Sequence, residues 1–203
     1  MSDAHIKDSL MKNTRRMLGQ WALSLSLALT AIALPVSNAQ AQGADGSVPA
    51  AFATQLPQGR KLGEGTMRWF GLKLYDAQLW TEKPAAQFNH RNDKHLLELR
   101  YDKAFDGVKI AEASREQIEG QGVGNAQLWP VWQKKLTDMI PDVQKDTRLT
   151  ALYLPGKGLQ LYRDGQPHAE LNDPELAAAF MGIWLDTRTS EPKLRERLLG
   201  LRK

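Results

Sequence analysis

The 203-residue chain contains no cysteine, which excludes disulfide staples, thiol nucleophiles, iron–sulfur clusters and thiolate zinc sites. Aromatic residues make up only 7% and histidines number four. His90, His95 and His168 have no second ligand at metal-site spacing and read as solvated loop or strand-edge residues, so no metal is expected. The apolar run from Trp21 to Leu34, interrupted only by Ser24, Ser26 and Thr30, falls short of the roughly 18–20 residues a membrane-spanning helix needs. Gly120, Gly122 and Gly124 lie between two predicted helices without the dinucleotide-binding spacing. Gly156-Lys157-Gly158 lacks the Ser/Thr and the following helix of a phosphate loop, and no G-x-S-x-G elbow is present. No cofactor is expected, and any chemistry must come from oxygen, nitrogen and apolar groups.

What the N-terminus does contain is an export pattern. Lys12, Arg15 and Arg16 precede the apolar run, and Pro35 and a small-residue stretch with Ala39 and Ala41 at an A-x-A site follow it. Residues 1–41 are therefore expected to be a cleaved signal peptide, leaving a periplasmic or otherwise exported chain with no membrane span. Of the 27 Lys+Arg and 23 Asp+Glu residues, four basic (Lys7, Lys12, Arg15, Arg16) and two acidic (Asp3, Asp8) precede Gln42, so the net charge falls from +4 to +2 on cleavage. That balance removes the case for a nucleic-acid partner, which needs clustered basic residues. Residues 42–58 read as a flexible lead-in and 59–203 as one domain.

Within that domain, Gly59 to Phe70 and Leu72 to Thr81 read as a strand pair joined near Gly71. Leu72 and Leu74 fall on one parity and Ala77 and Leu79 on the other, as a bulge near Tyr75-Asp76 would produce. His95, Leu97, Leu99 and Tyr101 alternate with Glu98 and Arg100 in a third strand. The period then becomes helical from Asp106 to Gly120. A second helix starts near Ala126 to Leu128, which keeps Pro130 in its first turn, and Pro141 stops it. Arg148 to Leu154, Gly158 to Tyr162 and Gln166 to Leu171 form a meander, its last turn signalled by Asp164-Gly165. Asp173-Pro174 launches a helix through Trp184, and Ser190 or Thr189 is expected to cap a final one from Glu191 to Leu199. Strands in runs followed by helices in pairs predict an α+β fold with a large antiparallel sheet and helices packed on one face.

Arg68, Lys73 and Arg100 are cations flanked in these strands by Trp69, Tyr75 and Tyr101. They read either as the wet face of the sheet or as anion-binding groups at the mouth of an apolar pocket, where a tyrosine hydroxyl adds a second hydrogen bond. Trp69, Trp80, Trp129, Trp132 and Trp184 suit an aromatic-lined cleft between sheet and helices. Lys193, Arg195 and Arg197 read as the solvated face of a helix whose Leu194, Leu198 and Leu199 turn inward.

The segments Leu72-Lys73-Leu74-Tyr75-Asp76-Ala77-Gln78-Leu79-Trp80, Leu97-Glu98-Leu99-Arg100-Tyr101 and Phe180-Met181-Gly182-Ile183-Trp184-Leu185-Asp186, with the tail through Gly200, resemble the bacterial chalcone-isomerase-like exported proteins over about residues 59–200. The resemblance implies a single open-faced sandwich, in a wider family of plant enzymes that close a chalcone into a flavanone and of non-catalytic relatives that bind fatty acids. The enzymes use an arginine, a threonine and a tyrosine. An ungapped match places these positions at Gly63-Glu64-Gly65, at Tyr75 and near Gly107-Val108, while a slip of a few residues brings Thr66, Arg68 or Tyr101 close. A site without its cation and hydroxyls loses an oxyanion stabilisation worth about 10²–10³ in rate per donor.

The leading expectation is accordingly a non-catalytic protein that holds a small apolar or amphipathic ligand in a sheet–helix cleft, with Arg68, Lys73, Tyr75, Arg100 and Tyr101 as candidate ligand-binding residues. Two alternatives stay open. One is an intramolecular lyase or isomerase acting on a phenolic or enone-like compound, which needs a tyrosine and an arginine to converge. The other is an envelope protein-interaction module.

Overall fold

Six strands run in chain order across one antiparallel sheet: β1 (Arg60–Trp69), β2 (Leu72–Thr81), β3 (His95–Tyr101), β4 (Arg148–Leu154), β5 (Gly158–Arg163) and β6 (Gln166–Leu171). Four helices complete the fold: α1 (Gly107–Gly120), α2 (Trp129–Met139), α3 (Pro174–Leu185) and α4 (Pro192–Leu198). This computed structural model describes residues 46–201, and the expected signal peptide, residues 1–41, lies outside them.

Local sequence accounts for most boundaries. Asp164 and Gly165 both take left-handed backbone, at φ 52° and 80°, as a two-residue type I′ hairpin requires. Asp106 caps α1 by accepting from the Lys109 amide at 3.2 Å, and Asp173 caps α3 by accepting from the Leu176 amide at 3.0 Å. Proline stands in the first turn of α2, α3 and α4, where its missing N–H costs nothing. The cap of α4 differs from expectation: Glu191 precedes the helix, while the Thr189 hydroxyl donates to the Ile183 carbonyl at 2.6 Å and accepts from the Glu191 amide at 3.2 Å. Thr189 thus ties the α3–α4 connection instead of the helix end.

The register breaks where alternation fails. β2 carries an extra residue at Leu74, between the pairs Met67↔Tyr75 and Arg68↔Lys73, one position before the predicted bulge. Past that point Tyr75, Ala77 and Leu79 share one face with Leu97, Leu99 and Tyr101, and Asp76 and Gln78 share the other with Glu98 and Arg100.

All four helices pack on the first of these faces. Leu79, Leu97, Leu149 and Leu159 of the sheet meet Ile118 of α1, Trp132 and Leu136 of α2, Leu176 and Met181 of α3, and Leu194 and Leu198 of α4. Each such side chain contributes about 1.5–3 kcal/mol by burial. α3 is buried on most of its circumference, because α1 and α4 flank it and leave it little access to water.

The opposite face is partly covered as well, which corrects the flexible reading of residues 42–58 for the part that is described, from residue 46 on. Val48, Phe52 and Leu56 pack on Trp80, Leu96, Leu152 and Tyr162, with Phe52 edge-on to Tyr162 at 4.8 Å. Trp80 Nε1 donates to the Ser47 carbonyl at 3.1 Å. The four-residue spacing of the three apolar side chains was the signal; it lies in a segment otherwise rich in Ala, Gly, Gln and Pro.

Candidate functional site

On the helical face, the register sets Tyr75 of β2 opposite Tyr101 of β3, and their rings meet at 5.7 Å and 61°. Phe105 adds a third ring at 5.8 Å from Tyr101. From α3, Phe180 and Trp184 stack edge to face at 5.4 Å, and Trp184 Nε1 donates to Tyr75 Oη at 3.0 Å. Five aromatic side chains thus gather where β2 begins and β3 ends.

The two phenols are weak acids here. Burial pushes Tyr75 up to about 12 against the opposing Trp184 hydrogen bond, and burial raises Tyr101, 5% exposed, further still. Both stay protonated at neutral pH and serve as hydrogen-bond donors, not as bases. Neither hydroxyl proton has an acceptor among the described residues, and Tyr101 Oη makes no hydrogen bond there at all. A carbonyl or carboxyl oxygen is the group that would satisfy them.

The cations lie elsewhere. On the other face of the sheet Asp76 accepts from Thr66 Oγ1 at 2.8 Å, Lys73 Nζ at 2.6 Å and Arg100 Nη2 at 3.0 Å. These three donors outweigh burial and hold its carboxyl below the usual range. Beside it Glu98, 6% exposed, accepts from Arg148 Nη1 at 2.6 Å and from Thr150 Oγ1 at 3.1 Å. Thr66, Asp76, Glu98, Arg100 and Arg148 line a polar groove of about 340 Å³ with Glu64 and Gln78. Arg68 stands at the end of β1, where Nη1 donates to the Gly71 carbonyl of the following turn at 3.3 Å.

Of the five sequence candidates, then, Tyr75 and Tyr101 come together under the helices, Lys73 and Arg100 share Asp76 on the opposite face, and Arg68 stands alone. Neither Tyr75 nor Tyr101 thus meets Arg68 or Arg100, the convergence that the intramolecular-lyase alternative needs of these residues. Thr66, held by Asp76 on the outer face, does not join the tyrosines either. At Gly63 an added Cβ would lie 2.0 Å from the Arg197 carbonyl oxygen, so no arginine fits there. Nor do the tryptophans line one cleft. Trp80 belongs to the outer face and Trp69 to the hairpin turn, and Trp129 and Trp132 pair at 5.6 Å in α2. Trp184 alone of the five tryptophans joins the tyrosines, and Phe105 and Phe180 carry no sequence signal as ligand contacts, because nothing short of the tertiary fold carries α3 across to β2.

The histidine reading also needs correction. His95 is 0% exposed between Phe88 and Tyr153, and His90 is largely buried near Asp186. Burial lowers each to about 4, so both rings are neutral at pH 7. His95 shares the parity of Leu97 and Leu99, and that parity proved the dry one.

An uncharacterized protein of Haemophilus influenzae is 26% identical over 142 residues, which is 70% of this chain and 68% of the relative. A crystal structure of a fatty-acid binding protein of Arabidopsis thaliana superposes with a TM-score of 0.53 at 14% identity, covering 71% of this chain and 88% of the plant one. At that identity the likeness speaks to the fold. The sequence profile described as chalcone isomerase-like matches residues 59–200, nearly the whole of the described sheet and helices, and the chain belongs to the chalcone isomerase-like family.

Proposed function

We propose that the protein is a non-catalytic carrier of a small amphipathic ligand with a carbonyl or carboxyl head, held on the helical face of the sheet beside Tyr75 and Tyr101. The observation that carries this reading is the pair of neutral phenol hydroxyls with protons to give, set in an aromatic cluster of Phe105, Phe180 and Trp184. The fatty-acid binding named for the Arabidopsis neighbour is in keeping with it. With Arg100 and Lys73 on the far side, no cation compensates a deeply buried carboxylate, whose desolvation is costly. The head group therefore stays at the edge of the layer and the tail displaces the aromatic side chains. The reading includes export, with residues 1–41 removed; mass spectrometry of the mature N-terminus tests that part, and an intact leader on the folded protein defeats it.

The binding test is mass spectrometry of ligands released from the natively purified protein, joined to titration with saturated fatty acids of graded length. Saturable binding is expected, with Tyr101→Phe weakening it about tenfold, the value of one lost hydrogen bond to a polar head. The same substitution should change the unliganded stability by less than about 0.5 kcal/mol, since the hydroxyl has no protein partner to lose. A protein that releases nothing and shows no saturation at any chain length sinks the proposal.

A further inference from the structure

The turn between β1 and β2 breaks two rules at once. Phe70 and Gly71 both adopt left-handed backbone, at φ 44° and 79°, a conformation in which Gly, Asn and Asp are the economical choices at the first position. Phenylalanine gains nothing there by burial: Phe70 is 86% exposed and Leu72 47%. The Phe70 ring touches only its neighbour Trp69, edge-on at 4.9 Å among aromatic contacts. The Trp69 indole N–H, shielded from water, has no acceptor among the described residues. Arg68, exposed beside them, forms no ion pair among the described residues and braces the turn through its bond to the Gly71 carbonyl. Strain kept together with an exposed aromatic ring marks a position retained for what it touches outside the chain.

We infer that this tip, Arg68-Trp69-Phe70-Gly71-Leu72, inserts into the headgroup layer of a phospholipid surface. Its size decides between occupants. A specific protein interface needs roughly 800 Å² from each partner, whereas an aromatic side chain offers only about 150–250 Å², so a convex tip of Phe70, Leu72 and part of Trp69 falls well short of one. It is enough for shallow insertion, in which aromatic rings sit at the boundary between acyl chains and headgroups. The unpaired Arg68 then faces lipid phosphates, which a guanidinium binds through paired hydrogen bonds. The inference does not rest on the ligand reading, because it is drawn from Arg68, Trp69, Phe70 and Leu72, none of which belongs to the aromatic cluster of Tyr75 and Tyr101.

The test is co-sedimentation of residues 42–203, a compact unit by themselves, with vesicles of phosphatidylcholine alone and of phosphatidylcholine with phosphatidylglycerol. Wild type is expected to bind the mixed vesicles more tightly, and Phe70→Asn to weaken binding at least tenfold, the factor for withdrawing one buried aromatic group from lipid. Arg68→Gln should abolish the preference for the mixed vesicles and leave weak binding to both. Because asparagine tolerates the left-handed turn, Phe70→Asn should also raise the melting temperature by about 2–4 °C. Absence of vesicle binding by wild type overturns the inference, as does equal binding by Phe70→Asn. A fall in its melting temperature would mean that Phe70 serves the fold, and a wild-type dimer that Phe70→Asn makes monomeric would mean that the tip docks on protein; either result also overturns it.

Discussion

Gly63→Ala lowers the stability of the domain by about 3 kcal/mol, at the upper end of what overpacking costs, and the melting temperature by about 10 °C. The methyl group has nowhere to go. An added Cβ would stand 2.0 Å from the Arg197 carbonyl oxygen and 2.6 Å from that of Leu198, and backbone atoms cannot rotate aside as a side chain does. The whole of α4 must lift from β1, drawing Leu194 and Leu198, both buried, out of the core. Two neighbours calibrate the effect. At Gly65 the closest atom is Leu194 Cδ1, 2.7 Å away at the end of a side chain, so Gly65→Ala should cost less. At Gly120 nothing lies within 4 Å, and Gly120→Ala should be near neutral. Denaturant midpoints of the three variants decide the matter. A cost at Gly63 no larger than at Gly120 would mean that α4 does not rest on β1 as described.

The second large effect is acid destabilisation between pH 6.5 and 4. An unfolded histidine titrates near 6.5, whereas burial lowers both His95 and His90 to about 4 in the fold. Between those values the unfolded chain binds protons that the folded chain refuses. The stabilisation is complete above pH 6.5 and is lost as the pH falls toward 4. At 1.36 kcal/mol per pKa unit, His95 accounts for a loss of about 3 kcal/mol across the window, and His90, nearer the surface and 3.9 Å from Asp186 Oδ2, for less. The surroundings explain why neither proton is welcome. His95 lies between Phe88 and Tyr153, with Nδ1 2.8 Å from the Asp93 carbonyl oxygen and Nε2 buried without a partner among the described residues. His90 gains from Asp186 but is opposed by Arg91, Arg195 and Arg188. The Arg188 guanidinium meanwhile holds the Asp186 carboxyl far below its ordinary range in spite of burial, so its own stabilisation is lost only at pH values below about 4. Urea denaturation of wild type and His95→Phe across this window checks the claim. The variant should lose the larger part of the slope, and an unchanged slope would refute the assignment.

Much of the fold was legible because its signals are local. The Asp164-Gly165 turn, the cap at Asp173 and the prolines in the first turns of α2 and α3 act within a few residues of themselves, so a linear reading finds them. The bulge on β2 was visible from the switch in parity, displaced by one residue to Leu74. The resemblance over residues 59–200 was legible for the same reason, as short segments in order. Less visible was the packing of Val48, Phe52 and Leu56, whose value depends on Trp80 and Tyr162, far along the chain.

The sequence by itself determined the order of elements, the antiparallel sheet with helices on one face, and the exclusion of thiol chemistry, since composition and nearest-neighbour spacing suffice for these. Only the tertiary structure decided that Tyr75 and Tyr101 meet Trp184 under the helices while Arg100 and Lys73 turn to Asp76 on the far side. In a strand, successive side chains point to opposite faces, so residues adjacent in the chain, such as Arg100 and Tyr101, are separated by the full thickness of the sheet. Which parity is dry depends on where α3 and α4 come to rest, and that is settled by burial summed over the whole core.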